Sequence, residues 1–556
     1  RFHSKYHPSG PRLTQLRLPK RVARVQLRPQ SLRYYSNEAA DFANRKQRIA
    51  DDINEHKKTW YPLLQQVQEE KDHVVRLKDF KEKFHHVTLE NPHPSHVTVR
   101  GRVTKLRRAS KGLVFMDLVQ DGIKVQTVVK MHAMDPELSK QEFQEKIETF
   151  RPGDVVSVTG KPGRTPAGEL SLIAVRPAEL LTPCLHPLPS NQSGDVHKRL
   201  ANRVVDFSTS PESREMIYAR ATVIAYVRRF FSDRGFLEVE TPILSDVAGG
   251  ASARPFTTES NHLTRTKKKS KSDCKEITTQ IALRVAPELW LKRLVISGFD
   301  KVFEVGPSFR NESIDSTHNP EFTTCEFYWG YAELKDLTDT LEEFFIGLLT
   351  TVITKHPSYS ERLTPWLEEF KKGIKHVDFL KTIADKSGHE LPRDLTDVDG
   401  LVSMYKSLGL KLPSVLSPAK LWDELAAEYV EKSGRVLLIT NQPELMSPLA
   451  KSWTRDGYAL SKRFELFIGG MEYANGYEEE NSPFAQMDKF VSQQQSRDEH
   501  ADDEAHVQDS GYVTDMEWGL PPTAGCGIGI DRLVMFITGA KSIQQVIPFA
   551  GLKMAR

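Results

Sequence analysis

Near the middle of the chain, Phe309-Arg310-Asn311-Glu312 runs through a short polar loop to Asn319-Pro320-Glu321-Phe322, where an aromatic returns on the next strand. These fourteen residues demand a sheet hairpin whose open end is lined by an Arg, a Glu and an aromatic ring. Arg310 can meet a phosphate and a carboxylate at once through its fork of donors. Glu312 offers an acceptor for an exocyclic amine, and Phe322 a flat apolar face for a purine. A distant segment, Gly525-Cys526-Gly527-Ile528-Gly529-Ile530-Asp531-Arg532, fits the same chemistry. Its glycines let the backbone approach a ligand, Asp531 and Arg532 open a helix, and the Arg532 guanidinium can stack on the purine opposite Phe322. Neither segment matches GxGxxG or a Walker loop, which argues against a Rossmann or P-loop nucleotide site.

At 556 residues the chain has room for two or three domains, and 39% hydrophobic with 27% charged residues describes a soluble globular protein. No apolar run approaches the ~18–20 residues a membrane helix requires, so no membrane partner is expected. The net charge of +3 is unevenly spread and implies no polyanionic partner by itself. Four cysteines stand far apart without CxxC or metal spacing, a pattern of reduced thiols that argues against secretion and structural zinc. Residues 1–37 carry nine Lys or Arg and no acid before Glu38. This composition reads as a mitochondrial transit peptide over 1–36, with Arg33-Tyr34-Tyr35-Ser36 similar to a matrix-processing site. A basic arm touching RNA has the same composition.

From 37 to 88 the sequence is highly charged, with Ile49, Ile53, Trp60, Leu63, Leu64 and Val67 at mostly helical spacing, and predicts a helical extension. The texture changes over 89–184. His96–Val103, Leu113–Leu118, Ile123–Val129, Asp154–Gly160 and Glu169–Ala174 are β-rich and partly alternating, and a polar helical stretch from Leu138 to Phe150 precedes the fourth. Five strands with a helix in that place predict an OB-fold barrel. A proline-rich stretch leads into a linker over 185–200, and 201–556 mixes amphipathic helices with β-rich runs, an α+β pattern. Arg220–Gly235 has helical spacing and passes into Phe236–Pro242. Two insertions are expected. Thr264–Lys275, within about 260–277, crowds Lys and Arg among Ser and Thr and predicts a mobile loop. About 356–417 predicts a small helical insert, and the acidic Arg497–Asp509 a solvated helix or loop. Glu465 and Glu472 flank Gly469-Gly470, where strand carboxylates can bind Mg²⁺ with phosphates and water filling its octahedron.

Phe309–Phe322 and Gly525–Arg532 together resemble motifs 2 and 3 of class II aminoacyl-tRNA synthetases, placed at about 303–331 and 525–537. The helix–strand–proline unit at about 214–242 resembles motif 1, which implies a homodimer. Leu283–Leu294, Phe309–Tyr331, Met446–Lys451 and Pro521–Gly525 closely resemble lysyl-tRNA synthetases. The resemblance spans about 89–548. It implies a class II antiparallel sheet flanked by helices, preceded by an OB fold, and a homodimer of the mitochondrial matrix. It implies activation of L-lysine with ATP to lysyl-adenylate, aided by Mg²⁺, and transfer to the 3′ end of tRNA(Lys).

Carried over by position, the resemblance makes Arg310 and Arg532 the catalytic cations. Arg310, Glu312, His318, Phe322, Glu465, Glu472, Gly529 and Arg532 would bind ATP, with Glu465 and Glu472 on the metal. Gly250 and Glu288 would take the α-amino group of lysine, Glu326 and Glu479 its ε-ammonium, and Arg310, Tyr328 and Asn475 would complete the pocket. The physics agrees, because a buried ammonium needs anionic partners. Arg108, Phe115, Gln126 and Glu169 match anticodon-reading positions, the aromatic stacking a base. Thr317 and Ser313 depart from the family pattern, as do Glu480-Asn481-Ser482 and the end at Pro548-Phe549, and none removes a catalytic group. Two alternatives stand: a same-subclass synthetase for aspartate or asparagine, of which an aspartate pocket needs Arg or Lys at such positions, and a non-catalytic RNA-binding paralogue, which should lack Arg310, Glu465, Glu472 or Arg532.

Overall fold

The computed structural model describes residues 36–55, 59–67, 74–133, 139–189, 195–245, 250, 253–268, 274–500 and 509–550. The expected transit peptide, up to residue 35, lies outside them. Two compact units divide between Ser190 and Asn191.

In the first unit, α1 (Ser36–Glu55) and α2 (Leu77–Phe84) precede the strands. Arg45 of α1 makes a bidentate ion pair with Asp154, at 2.9 and 2.8 Å, and a further bond of 3.0 Å to the Cys184 carbonyl. Both side chains are buried, so the pair is justified by its two-pronged geometry and the extra acceptor. The barrel comprises β1 (Val97–Ser110), β2 (Leu113–Gln120), β3 (Ile123–Lys130), α3 (Lys140–Thr149), β4 (Val155–Arg164), β5 (Leu170–Ala174) and β6 (Glu179–Thr182). Its order is β1-β2-β3-β5-β4, closed by a β1–β4 pairing, with β6 added against β4. This is the expected OB fold, helix included. Val114, Met116 and Leu118 point inward, so Phe115 and Asp117 point out.

The second unit begins with α4 (Val196–Ala201), α5 (Arg203–Thr209) and α6 (Pro211–Ser232). The last starts at Pro211 rather than Arg220, because Ser210 accepts the Ser213 amide at 3.1 Å and proline is well suited to a first turn. Next come β7 (Leu237–Glu238), β8 (Leu244–Ser245), β9 (Thr257–Lys268), β10 (Cys274–Leu283), α7 (Glu288–Ile296), β11 (Lys301–Phe309), β12 (Glu321–Gly330), α8 (Leu334–Lys355) and α9 (Ser360–Phe370). The chain continues through β13 (Lys375–Asp378), α10 (Phe379–Ser387), α11 (Val398–Leu408), α12 (Pro418–Tyr429), β14 (Val436–Thr440), β15 (Ser452–Arg455), β16 (Tyr458–Ser461), β17 (Arg463–Ile468) and β18 (Met471–Glu478). It closes with α13 (Pro483–His500), α14 (Ser510–Met516), β19 (Thr523–Gly529), α15 (Ile530–Thr538) and α16 (Ile543–Val546).

Eight strands form the main sheet in the order β13-β14-β17-β18-β19-β12-β11-β7. Its interior is antiparallel as expected, but β13–β14 and β11–β7 are parallel, so the edges make it mixed. Val223, Val227 and Phe231 of α6 pack with Phe344, Leu348 and Val352 of α8 and Leu533 and Ile537 of α15 in one core against this sheet. That covered face leaves the opposite face of β12, β18 and β19 free for ligands.

Two expectations are corrected. The Lys-rich segment is not a loop along its length: β9 and β10 pair antiparallel from Thr257↔Ala282 out to Lys268↔Cys274. Threonines along both strands favour extended backbone, and that preference outweighs the charge. The 356–417 insert is not purely helical either. Its β13 joins the main sheet, and its helices share a core with α12 that includes Tyr405, Leu421 and Trp422.

Candidate active site

Three adjacent strands build the floor of a cavity of about 500 Å³. Register places Glu326, Gly527 and Asn475 in one row across β12, β19 and β18, and Tyr328, Gly525 and Tyr477 in the next. Glycine at 525 is required by close approach. A Cβ there would sit 2.3 Å from the Tyr328 ring and 2.5 Å from Glu479 Oε1. Gly250 is required by its backbone, with φ of +100° above Glu288.

All eight residues expected to hold the nucleotide line this cavity: Arg310, Glu312, His318, Phe322, Glu465, Glu472, Gly529 and Arg532. The β11–β12 hairpin brings the Arg310 guanidinium 5.1 Å from the centre of the Phe322 ring. Arg532, in the first turn of α15, donates 3.2 Å to the Glu472 carbonyl and lies 3.0 Å from His318 Nε2. His318 Nδ1 faces Asp315 at 2.8 Å, a pattern that assigns the proton to Nδ1 and leaves Nε2 as acceptor. Hydrogen bonds from Thr317 and His318 overcome the effect of burial and draw the Asp315 carboxyl down to about 2. Departing Thr317 thus serves to fix the loop that carries His318.

Glu465 on β17 and Glu472 on β18 present only carboxylate oxygens, the donor set of Mg²⁺ rather than zinc. Burial pushes the Glu465 carboxyl up, Arg463 opposes this, and Glu472 and Asp423 add repulsion. Glu431 is pushed up to about 7 by burial and by Glu465. Such mutual repulsion is what a bound cation relieves. Among the described residues no three His, Cys, Asp or Glu side chains form a metal site by themselves. A metal here therefore needs oxygens from water and phosphate, as Mg²⁺ usually does. Asp423, from α12, also lines the cavity, so the helix on which the inserted region packs contributes a wall.

At the other end of the cavity stand Gly250, Glu288, Glu326, Tyr328 and Asn475. The Tyr328 hydroxyl donates to Glu326 at 3.3 Å, and Arg463 Nε donates to the Asn475 side-chain carbonyl at 3.0 Å. Burial, then repulsion from Glu288, raises the Glu326 carboxyl to about 8. Glu479 is not on the cavity surface but directly beneath it, 1% exposed. Its Oε2 contacts the Lys292 ammonium, whereas Oε1, against Gly525, has no hydrogen-bond partner. A buried carboxylate oxygen without a donor is an unfilled acceptor for a cationic ligand.

Lys292, Tyr477 and Arg463 are not among the residues that the sequence assigns to the site, and Asp531 enters there only as the opening of a helix. Lys292 follows Glu288 by one helical turn and bonds it at 2.6 Å. The signal is a Lys that closes an apolar stretch, Leu289-Trp290-Leu291-Lys292, four residues from an expected ligand. Tyr477 donates to Glu288 from the β18 side. Arg463 joins Asn475 to Ser447 at 2.9 Å and to Glu465.

In the first unit, Phe115 is half-buried on the outer face of the barrel, and Gln126 is bonded to Ser171 on the same face. Glu169 is exposed at the start of β5. The arginine beside Phe115 is Arg107, paired with it in register, its guanidinium 4.5 Å from the ring centre. Arg108 pairs with inward Val114 and donates to the Ile147 carbonyl at 3.4 Å, so the structure does not bring it to Phe115.

Comparison with known proteins accounts for both units. The family model of class II tRNA synthetases (D, K and N) matches residues 195–553, and that of the OB-fold nucleic acid binding domain matches 97–176. The mitochondrial lysine–tRNA ligase of Schizosaccharomyces pombe is 39% identical over 468 residues, covering 82% of this chain and 84% of that protein. The lysine–tRNA ligase of Aquifex aeolicus is 38% identical over 491 residues, with 87% and 76% covered. That of Campylobacter jejuni subsp. doylei is 36% identical over 487 residues, with 86% and 92% covered. The chain belongs to the class II aminoacyl-tRNA synthetases, in the group that serves aspartate, lysine and asparagine, and carries that group's OB-fold domain.

Proposed function

We infer that this chain is a lysine–tRNA ligase that activates L-lysine with ATP and passes it to the 3′ end of tRNA(Lys) in the mitochondrial matrix. The carrying observation is the unpaired Oε1 of Glu479 beneath a cavity walled by Glu288 and Glu326, where Arg463 is taken up by Asn475, Ser447 and Glu465. Three carboxylates around one buried space suit a substrate with two ammonium groups and would repel the side chain of aspartate. The uncharged side chain of asparagine would leave them unsatisfied.

At the opposite end Arg310 sits where the lysine carboxylate and the α-phosphate of ATP must meet, with Phe322 and Arg532 on the adenine. Neutralising two approaching anions and holding them in line is the main task of the protein, and no side chain needs to act as nucleophile. Mg²⁺ on Glu465 and Glu472 would spread the phosphate charge when bound. Phe115, Arg107, Gln126 and Glu169 form the anticodon-facing surface, on which an unstacked base can lie against the Phe115 ring.

Homodimerisation is supported by Tyr218, Leu237, Ile243 and Leu244, all exposed apolar side chains on the segment from α6 to β8. The basic leader and the S. pombe relative support mitochondrial import. Pyrophosphate exchange with lysine, aspartate and asparagine, followed by charging of mitochondrial tRNA, tests the reading. Exchange that depends on aspartate or asparagine and not on lysine would refute it.

A further inference from the structure

Beside the pocket, the reaction assigned above leaves a buried ammonium without a task. Lys292 has no exposed side-chain surface, yet it carries a cation into the wall of a pocket meant for another cation. Its ammonium lies 2.6 Å from Glu288 Oε1 and in contact with Glu479 Oε2. Three aromatic rings enclose it, with Tyr328, Tyr477 and Tyr512 centred 5.9, 5.4 and 5.9 Å away. Tyr477 donates to the same Glu288 oxygen that Lys292 takes. The free Glu479 oxygen, Oε1, is the one against Gly525 and Tyr328, both of which line the cavity.

We propose that Lys292 is a positioning residue for lysine: it holds one oxygen of Glu288 and one of Glu479, turning the remaining acceptors toward the substrate's two ammonium groups. The proposal rests on the lysine pocket assigned above. A bare pair of buried carboxylates would repel one another, rotate apart or take up protons. A fixed internal ammonium opposes all three and leaves the free oxygens of Glu288 and Glu479 to face the two ammonium groups of the substrate.

The charges around the pair agree. Burial alone would lower the Lys292 ammonium, but Glu288 and Glu479 more than reverse this and hold it above its ordinary range. Burial pushes the Glu479 carboxyl up, and Lys292 is the cation that opposes it, while Glu288 and Glu326 act in the same sense as burial. The other titratable groups facing this pair are Tyr328 from β12, Tyr477 from β18 and Tyr512 from α14, with Arg293 beyond Tyr512. No second ammonium stands among them to replace Lys292.

The test compares K292M, E479Q and the double variant K292M/E479Q by pyrophosphate exchange, with KM for lysine and ATP measured separately from pH 6 to 9. K292M should lower kcat/KM for lysine by about 100-fold with KM for ATP nearly unchanged. Its deficit relative to wild type should narrow as pH rises, because Glu479 regains its charge. The double variant should lose much less than the product of the two single losses, since Lys292 acts through Glu479. If K292M does not fold, K292Q keeps a donor without the charge and carries the same comparison. A folded variant with wild-type KM for lysine, equal losses for both substrates, or multiplicative losses in the double variant would each overturn the clamp. Unchanged lysine kinetics in E479Q would instead overturn the pocket assignment, so the two failures are separable.

Discussion

The Asp531 carboxylate accepts the backbone amide of Thr323 at 2.6 Å, and so ties the first turn of α15 to the strand that carries Glu326 and Tyr328. Arg220 of α6 completes the junction, bonding Asp531 and, at 3.0 Å, the Thr323 hydroxyl. Three elements thereby fix where Arg532 and Phe322 stand. D531N keeps the size but turns an amino group toward a donor. It should cost about 1–3 kcal/mol in stability by urea unfolding. KM for ATP should rise more than KM for lysine, and an unaltered unfolding midpoint would mean that the junction contributes little.

Arg310 is required for its shape as well as its charge. A planar fork over Phe322 can engage a carboxylate and a phosphate together, which a lysine ammonium cannot do with fixed geometry. R310K should therefore reduce kcat for pyrophosphate exchange by about 10²–10³-fold while thermal unfolding stays near wild type. Retention of more than a tenth of the exchange rate would move the positive charge at the reaction centre elsewhere.

The barrel was legible because its alternation is local: Val114, Met116 and Leu118 alternate with Phe115 and Asp117 within one strand. The residues that line the cavity are legible because their motifs are contiguous and match as sets. What escaped depends on partners far along the chain. Lys292 looks like a surface residue until Glu479 is brought beneath it by β18. Arg107 and Arg108 are adjacent in sequence and differ only in which faces Phe115, a matter of register that a one-residue shift inverts. The Lys-rich strands escape a reading of composition because the pairing of their threonine-rich backbone outweighs their charge, and the start of α6 is set by the Ser210–Pro211 cap and not by apolar spacing.

Lysine binding should release a proton near neutral pH. Burial and Glu288 raise the Glu326 carboxyl to about 8, so at pH 7 it is mostly protonated until an ammonium arrives. A raised carboxyl also contributes stability that is full below the ordinary carboxylate range and is lost as pH climbs through about 8. The ligand-free enzyme should thus weaken as pH rises from the ordinary carboxylate range to about 8, and saturating lysine should flatten the slope. Calorimetry in two buffers of different ionisation enthalpy should give release of up to about one proton at pH 7, and none from this group in E326Q. Equal proton counts for wild type and E326Q would show that Glu326 is already ionised.

Phe115 separates RNA recognition from chemistry. Its ring stands outside the barrel core with Arg107 stacked upon it, so truncation removes a platform without opening a cavity. Base stacking on an aromatic is worth ~1–3 kcal/mol, which sets the expected loss in kcat/KM for charging F115A at about 5–150-fold. Pyrophosphate exchange without tRNA should be unaffected. R107A should follow F115A, and R108A should do less harm to anticodon discrimination, because its guanidinium is already committed to the Ile147 carbonyl. The decisive measurement is charging of tRNA transcripts with altered anticodon bases. If R108A relaxes that discrimination more than R107A, the arginine reading the anticodon is the one turned away here, and β1 must shift its register when RNA binds.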